Sequence, residues 1–148
     1  ERITGVGRDQ EETAQAQNAL IEVIRRFPDS EYAEDAKLKL ALTSDHLAGK
    51  DMEVGRFYLQ RQEYLAAIGR FRNVIEKYET TSHAPEALHR LVESYLALGI
   101  EHEAQMAAAV LGHNFPNSKW YRHSYRLLGD EALAPESRDG SWLSRLFS

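Results

Sequence analysis

Six histidines, His46, His83, His89, His102, His113 and His123, are the residues of this chain best suited to metal binding or proton transfer. A helix-borne metal site needs imidazoles three or four positions apart, as in His-Glu-x-x-His, so that both rings leave one face. No pair here has that spacing. His83 and His89, six apart, would sit roughly 240° apart around a shared helix, so no metal site is expected. Glu101-His102-Glu103 could serve acid–base chemistry, but carboxylates at a helix start also meet the positive end of the dipole, and that plainer role is the expectation. No serine lies in Gly-x-Ser-x-Gly, and Gly5-Val6-Gly7 lacks both a third glycine and a preceding strand. With no cysteine in the chain, a disulfide framework, a thiol nucleophile, a thiolate zinc site and an iron–sulfur cluster are excluded. The expectation is a protein that is not an enzyme and holds no cofactor.

The elements that carry these residues read as helices. Apolar residues recur at three and four positions rather than alternating, and 43% hydrophobic content over 148 residues is enough to build a core. The net charge of −5 argues against a nucleic-acid surface, which needs a basic stripe. No apolar run approaches the roughly 18 residues of a membrane helix, and Glu1-Arg2-Ile3-Thr4-Gly5 does not read as a signal peptide. Without an initiating Met, the chain reads as a fragment or a processed product.

Asp9 and Glu12 suggest a capping box at the start of a first helix carrying Ala16, Leu20, Val23, Ile24 and Phe27, which Pro28 ends. A second helix follows from about Glu31, with Tyr32, Ala36, Leu40, Thr43 and Leu47 on one side and Leu38 and Leu42 on another. Two apolar faces suit a helix placed between neighbours in a stack. This helix either ends near Gly49 or continues to about Gln62, since one glycine costs only ~1 kcal/mol.

From Met52 onward the spacing matches a helix–turn–helix repeat of about 34 residues. Val54-Gly55-x-x-Tyr58 is followed by Ala67-x-x-x-Phe71, Val74 and Tyr78, and then Leu88-x-x-Leu91-Val92-x-x-Tyr95 by Ala104-x-x-x-Ala108, Leu111 and Pro116. Tyr58 and Tyr95 are 37 positions apart, as are Ala67 and Ala104. The expected fold is therefore all-α, a tetratricopeptide-type α-solenoid of antiparallel helical hairpins. Residues 1–128 form the repeat array, with a partial unit at 9–28, units at about 48–81 and 85–118, and a capping helix at 119–128 behind Asn117-Ser118. Residues 129–148 are expected to be a flexible tail in which Trp142, Leu143, Leu146 and Phe147 form a short amphipathic segment. Because the array begins inside a repeat, an apolar face is expected to need a cover.

These residues resemble the C-terminal half of the BamD family, tetratricopeptide lipoproteins of the outer-membrane β-barrel assembly machinery. The resemblance rests on Arg26-Phe27-Pro28-Asp29-Ser30-Glu31-Tyr32-Ala33, on Val54-Gly55-Arg56-Phe57-Tyr58-Leu59 and on Ala66-Ala67-Ile68-Gly69-Arg70-Phe71. It continues through Glu86 to Tyr95, and is narrowest at Val110-Leu111-Gly112-His113-Asn114-Phe115-Pro116 with Ser118-Lys119-Trp120-Tyr121. It implies a scaffold at the periplasmic face of the bacterial outer membrane, docked to the periplasmic domains of the barrel-forming subunit and to accessory lipoproteins. Family members are tethered through a lipidated N-terminal cysteine, which is absent from this chain.

In a tetratricopeptide superhelix the first helices of the units line a concave groove, which such proteins use for binding. On that template the partner-binding candidates are Met52, Arg56, Leu59 and Gln60 in one unit and His89, Glu93 and Leu96 in the next. A plain solvated face is the competing reading for each. Tyr121 and Tyr125 form a second candidate patch, because aromatics are enriched at interface centres. Trp120 beside them is expected to fold onto the last repeat instead. An alternative function is a different adaptor that captures extended peptides in the groove.

Overall fold

A computed structural model describes residues 2–129, with side chains from residue 11 onward. Six helices follow one another: α1 (Arg2–Arg26), α2 (Glu31–Gln60), α3 (Tyr64–Lys77), α4 (Ala84–Ala97), α5 (Glu101–Asn114) and α6 (Lys119–Leu128). No strand occurs among the described residues. They fall into two compact units that divide between His46 and Leu47. The expected tail segment at Trp142 to Phe147 lies outside the described residues.

The first unit holds α1 and the first half of α2. The expected start of α1 at Asp9 is corrected: helical backbone runs from Arg2 through Asp9, across Gly5 and Gly7, because each glycine lowers helix stability by only about 1 kcal/mol. Arg25 and Arg26 in the last turn of α1 both bind the Glu22 carboxylate at 2.6 Å, and their charge also complements the negative end of the helix. Pro28 cannot continue the helix. Ser30 then starts α2, its hydroxyl accepting the Ala33 amide at 3.1 Å while donating to the Phe27 carbonyl at 2.7 Å. Ala33 and Ala36 are the buried face of this half of α2. Tyr32, expected on that stripe, is 77% exposed, and Phe27, Leu38 and Leu42 are exposed as well. Small residues are the enclosed ones here, and the large apolar groups are left exposed.

Helix α2 passes through Gly49 without a break and ends at Gln60. Its second half opens the second unit. Here the 37-residue offset seen in the side chains recurs in the backbone. The Glu63 amide bonds to the Tyr58 carbonyl at 3.0 Å, and the Ile100 amide to the Tyr95 carbonyl at 2.9 Å. At the far ends of the second helices, Tyr78 bonds to Val74 and Phe115 to Leu111, both at 2.8 Å. The connections after them match too, with Thr81 to Tyr78 and Ser118 to Phe115 both at 3.1 Å.

The core of this unit is continuous. Met52, Phe71, Ile75, Leu88, Leu91, Val92 and Leu111 are fully buried among small residues Ala48, Ala67, Ala84, Ala87, Ala104, Ala107 and Ala108. Removing each of the large side chains from water stabilises the fold by about 1.5–3 kcal/mol. The alanines and Gly55 let the helix backbones approach. An ideal Cβ placed on Gly55 would lie 2.5 Å from the Phe71 ring, so the ring occupies the space that any larger residue would need. Tyr58, Tyr78, Tyr95 and Trp120 pack around the edge of this core, half-buried. Helix α6 packs on both α4 and α5.

Candidate partner-binding surfaces

Three of the residues expected to face a binding groove are drawn into one polar network on α4. Arg56 of α2 reaches Glu86 with both carboxylate oxygens at 3.1 Å. Glu86 also takes the Arg90 guanidinium at 3.2 Å, and Arg90 extends to Glu93 at 2.8 Å. The His89 ring completes the path, with Nε2 2.6 Å from Glu93 and Nδ1 2.8 Å from the Ser124 hydroxyl on α6. Nε2–H donates to the Glu93 carboxylate, and Nδ1 shares a hydrogen bond with the Ser124 hydroxyl on its other side. The network therefore ties α2, α4 and α6 together through side chains distant in sequence.

Burial of Glu93 acts to raise its pKa. The hydrogen bond from His89 and the Arg90 cation outweigh that effect, holding the carboxyl below its ordinary value. Arg90 also lies over the Trp120 ring, 5.2 Å from its centroid, and His89, Trp120 and His123 form a mutual aromatic cluster with centroids 5.4 to 5.7 Å apart. Cation–π and edge-to-face contacts of this kind fix α6 against α4.

The expectation that Met52 and His89 line an open groove is corrected. Met52 is fully buried and His89 is 4% exposed, because the inner sides of α2 and α4 are consumed by packing against α3, α5 and α6. Glu93 and Arg56 keep partial exposure, but both are engaged in the network. Leu59 and Leu96 are half-buried against the core, and Gln60 is exposed. Tyr121 and Tyr125 come together on α6 with centroids 6.5 Å apart. Tyr121 is half-buried over Gly112, where an ideal Cβ would lie 2.5 Å from its ring, and Tyr125 is exposed.

Sequence reasoning missed Glu86, Arg90 and Ser124. The spacing of Glu86, Arg90 and Glu93 at four and three positions was a usable signal for a charged ridge on α4. Nothing in the spacing joins that ridge to Arg56 or Ser124. Also unforeseen were the exposed Phe57, with the Arg61 guanidinium 5.0 Å from its ring centroid, and the exposed Leu65. Among the described residues no group of three metal-ligating side chains assembles, and no helix is long and apolar enough to cross a membrane.

Antiparallel helical hairpins repeating at one offset, with glycine and alanine under aromatic rings, define an all-α protein of tetratricopeptide type. The family described as YfiO, outer membrane lipoprotein, matches residues 1–111, and the chain belongs to it. It is 55% identical over 135 residues to the outer membrane protein assembly factor BamD of Caulobacter vibrioides, which covers 91% of this chain and 44% of that protein. To the factor of the same name from Rickettsia prowazekii it is 51% identical over 126 residues, covering 85% and 50%. To that of Neisseria meningitidis serogroup A it is 35% identical over 119 residues, covering 80% and 45%. The chain spans about half the length of the curated relatives it matches.

Proposed function

We propose that this chain is a non-enzymatic scaffold of the outer-membrane β-barrel assembly machinery. It binds the periplasmic domains of the barrel-forming subunit and accessory lipoproteins, at the periplasmic face of the outer membrane and peripheral to it through a lipid anchor. The observation that carries this reading is the 55% identity, over nearly the whole chain, to a protein named as an outer membrane protein assembly factor. The family description as an outer membrane lipoprotein supports the location. The repeat division, with units at about 48–81 and 85–118 and a capping helix at 119–128, belongs to the same proposal.

Physical support comes from which surfaces remain open. The interior of each hairpin is filled, so recognition falls to residues at the helix rims: Gln60 with the outer edges of Leu59 and Leu96, and Tyr121 with Tyr125 on α6. Arg56 and Glu93 hold these rims in place through the α4 network. Rigid presentation lowers the ordering cost of binding. The alternative reading, extended peptides in a concave groove, loses Met52 and His89 from its contact set because both are buried.

Retention of the periplasmic domains of the barrel-forming subunit by the immobilised, folded chain at micromolar concentration is the test. Capture is expected, and it should weaken when Leu59, Gln60 and Leu96 are changed together to glutamate. A folded chain that retains none of those domains would overturn the reading.

A further inference from the structure

Helix α6 gathers basic side chains on one side. Lys119, Arg122, His123 and Arg126 follow the i, i+3, i+4, i+7 spacing of a single helix face, and all four are exposed. In a chain of net charge −5, no aspartate or glutamate occurs from Ala104 through Gly129. Lys119 lies over the Trp120 ring at 5.0 Å, and Arg122 donates to the Asn117 carbonyl at 3.2 Å. Among the described residues, neither of them nor Arg126 is paired with a carboxylate. Glu93, on the neighbouring helix, is already occupied by His89 and Arg90.

We propose that this outward face of α6 binds an acidic segment of a partner protein. The inference rests on the scaffold reading above and adds a location and a chemistry to it. Three further features support it. First, the ridge is rigid: Ser118 caps α6 by accepting the Trp120 amide at 3.2 Å, Ser124 is buried against His89, and Tyr121 is seated over Gly112. Second, desolvation lowers the His123 pKa below its ordinary value, and the neighbouring His89, Arg126, Lys119 and Arg122 act in the same direction. Third, solubility at the end of a helical stack needs only a polar outer face. Either sign, or a mixture, would serve that purpose. Guanidinium groups in a row match carboxylates, which they can bind in a bidentate manner.

A protein segment is favoured over an anionic membrane because α6 keeps only Tyr125 and Leu127 as exposed large apolar groups. A surface-seeking helix buries its apolar side in lipid, whereas here Trp120, Ser124 and Leu128 are turned onto the core.

The test is fluorescence anisotropy with the full chain and a labelled helical peptide carrying Glu at i, i+3, i+4 and i+7, against its Gln counterpart. The Glu peptide should bind more tightly by about tenfold or more, the equivalent of 1.4 kcal/mol, with affinity falling as salt rises. Reversing Arg122→Glu with Arg126→Glu should abolish the difference, whereas Lys37→Glu with Lys39→Glu on α2 should preserve it. All four positions are exposed, so circular dichroism should report an unchanged fold. Equal binding of the two peptides, or equal loss from both reversals, would overturn the proposal. So would retention of the chain on phosphatidylglycerol vesicles that depends on Arg122 and Arg126 while the Glu peptide is ignored. Capture of the barrel-forming subunit without peptide binding defeats this inference alone. Peptide binding without capture of that subunit defeats the assembly reading and leaves the α6 surface standing.

Discussion

Gln62 and Gly99, 37 residues apart, turn their hairpins with the same left-handed backbone, at φ of 61° and 75°. Each amide bonds three residues back, to Leu59 and Leu96, at 3.0 Å. The turn demands this conformation, and only glycine adopts it without a steric cost from Cβ. Gln62 is therefore the strained member of the pair. Changing Gln62→Gly should stabilise the chain by about 0.5–1 kcal/mol, the strain relief exceeding the added freedom of the unfolded chain. Gly99→Ala should destabilise it by about 1 kcal/mol. Urea unfolding of the two variants checks both signs.

The contact of Gly55 with Phe71 predicts an overpacking defect. Gly55→Ala forces a methyl group to within van der Waals overlap of a fully buried ring, and should cost about 1–3 kcal/mol despite alanine's better helix propensity. Adding Phe71→Leu to that variant should recover part of the loss. A double-mutant cycle in urea measures the coupling.

Asp51, nearly buried on α2, holds Arg70 at 3.1 Å and Asn73 at 2.5 Å on α3. At the positions 37 residues later stand Leu88, Ala107 and Val110, all in the apolar core. The same spatial job is done by charge in one hairpin and by packing in the next. Asp51→Ala should destabilise by about 1–3 kcal/mol, because it strands polar partners. The triple change Asp51→Leu, Arg70→Ala, Asn73→Val, which copies the second hairpin, should be neutral or stabilising. Thermal melts of the single and triple variants distinguish the two cases.

Stability should fall on the acid side through Glu93. Its folded pKa is depressed below the unfolded value of 4.5, so its contribution is present in full above that value and is lost as pH falls through the folded one. Glu93→Gln should be less stable than the parent at neutral pH, and the gap should narrow once the pH drops below 4.5. Denaturant midpoints measured across the acid range provide the check. A gap that stays constant with pH would mean that the His89 and Arg90 contacts to Glu93 contribute through shape rather than charge.

Much of the helical architecture was legible in the residue order. Tyr58 with Tyr95 and Ala67 with Ala104 could be equated because a repeat places like residues at like depths, and Pro28 and Ser118 mark helix boundaries by local chemistry that needs no distant partner. The unbroken course of α2 through Gly49 was open in the sequence, since one glycine is a small perturbation and only packing along both halves decides it. Burial was less legible. Periodicity assigns Met52 and His89 to the same helix faces as Arg56 and Glu93, yet the first two are enclosed and the latter two are not. Arg56 meets Glu86 and His89 meets Ser124 only after the helices are stacked. A helix pattern fixes the direction in which a side chain leaves its own axis, whereas its exposure and its partner depend on which other axis lies in that direction, and that is a property of the tertiary arrangement alone.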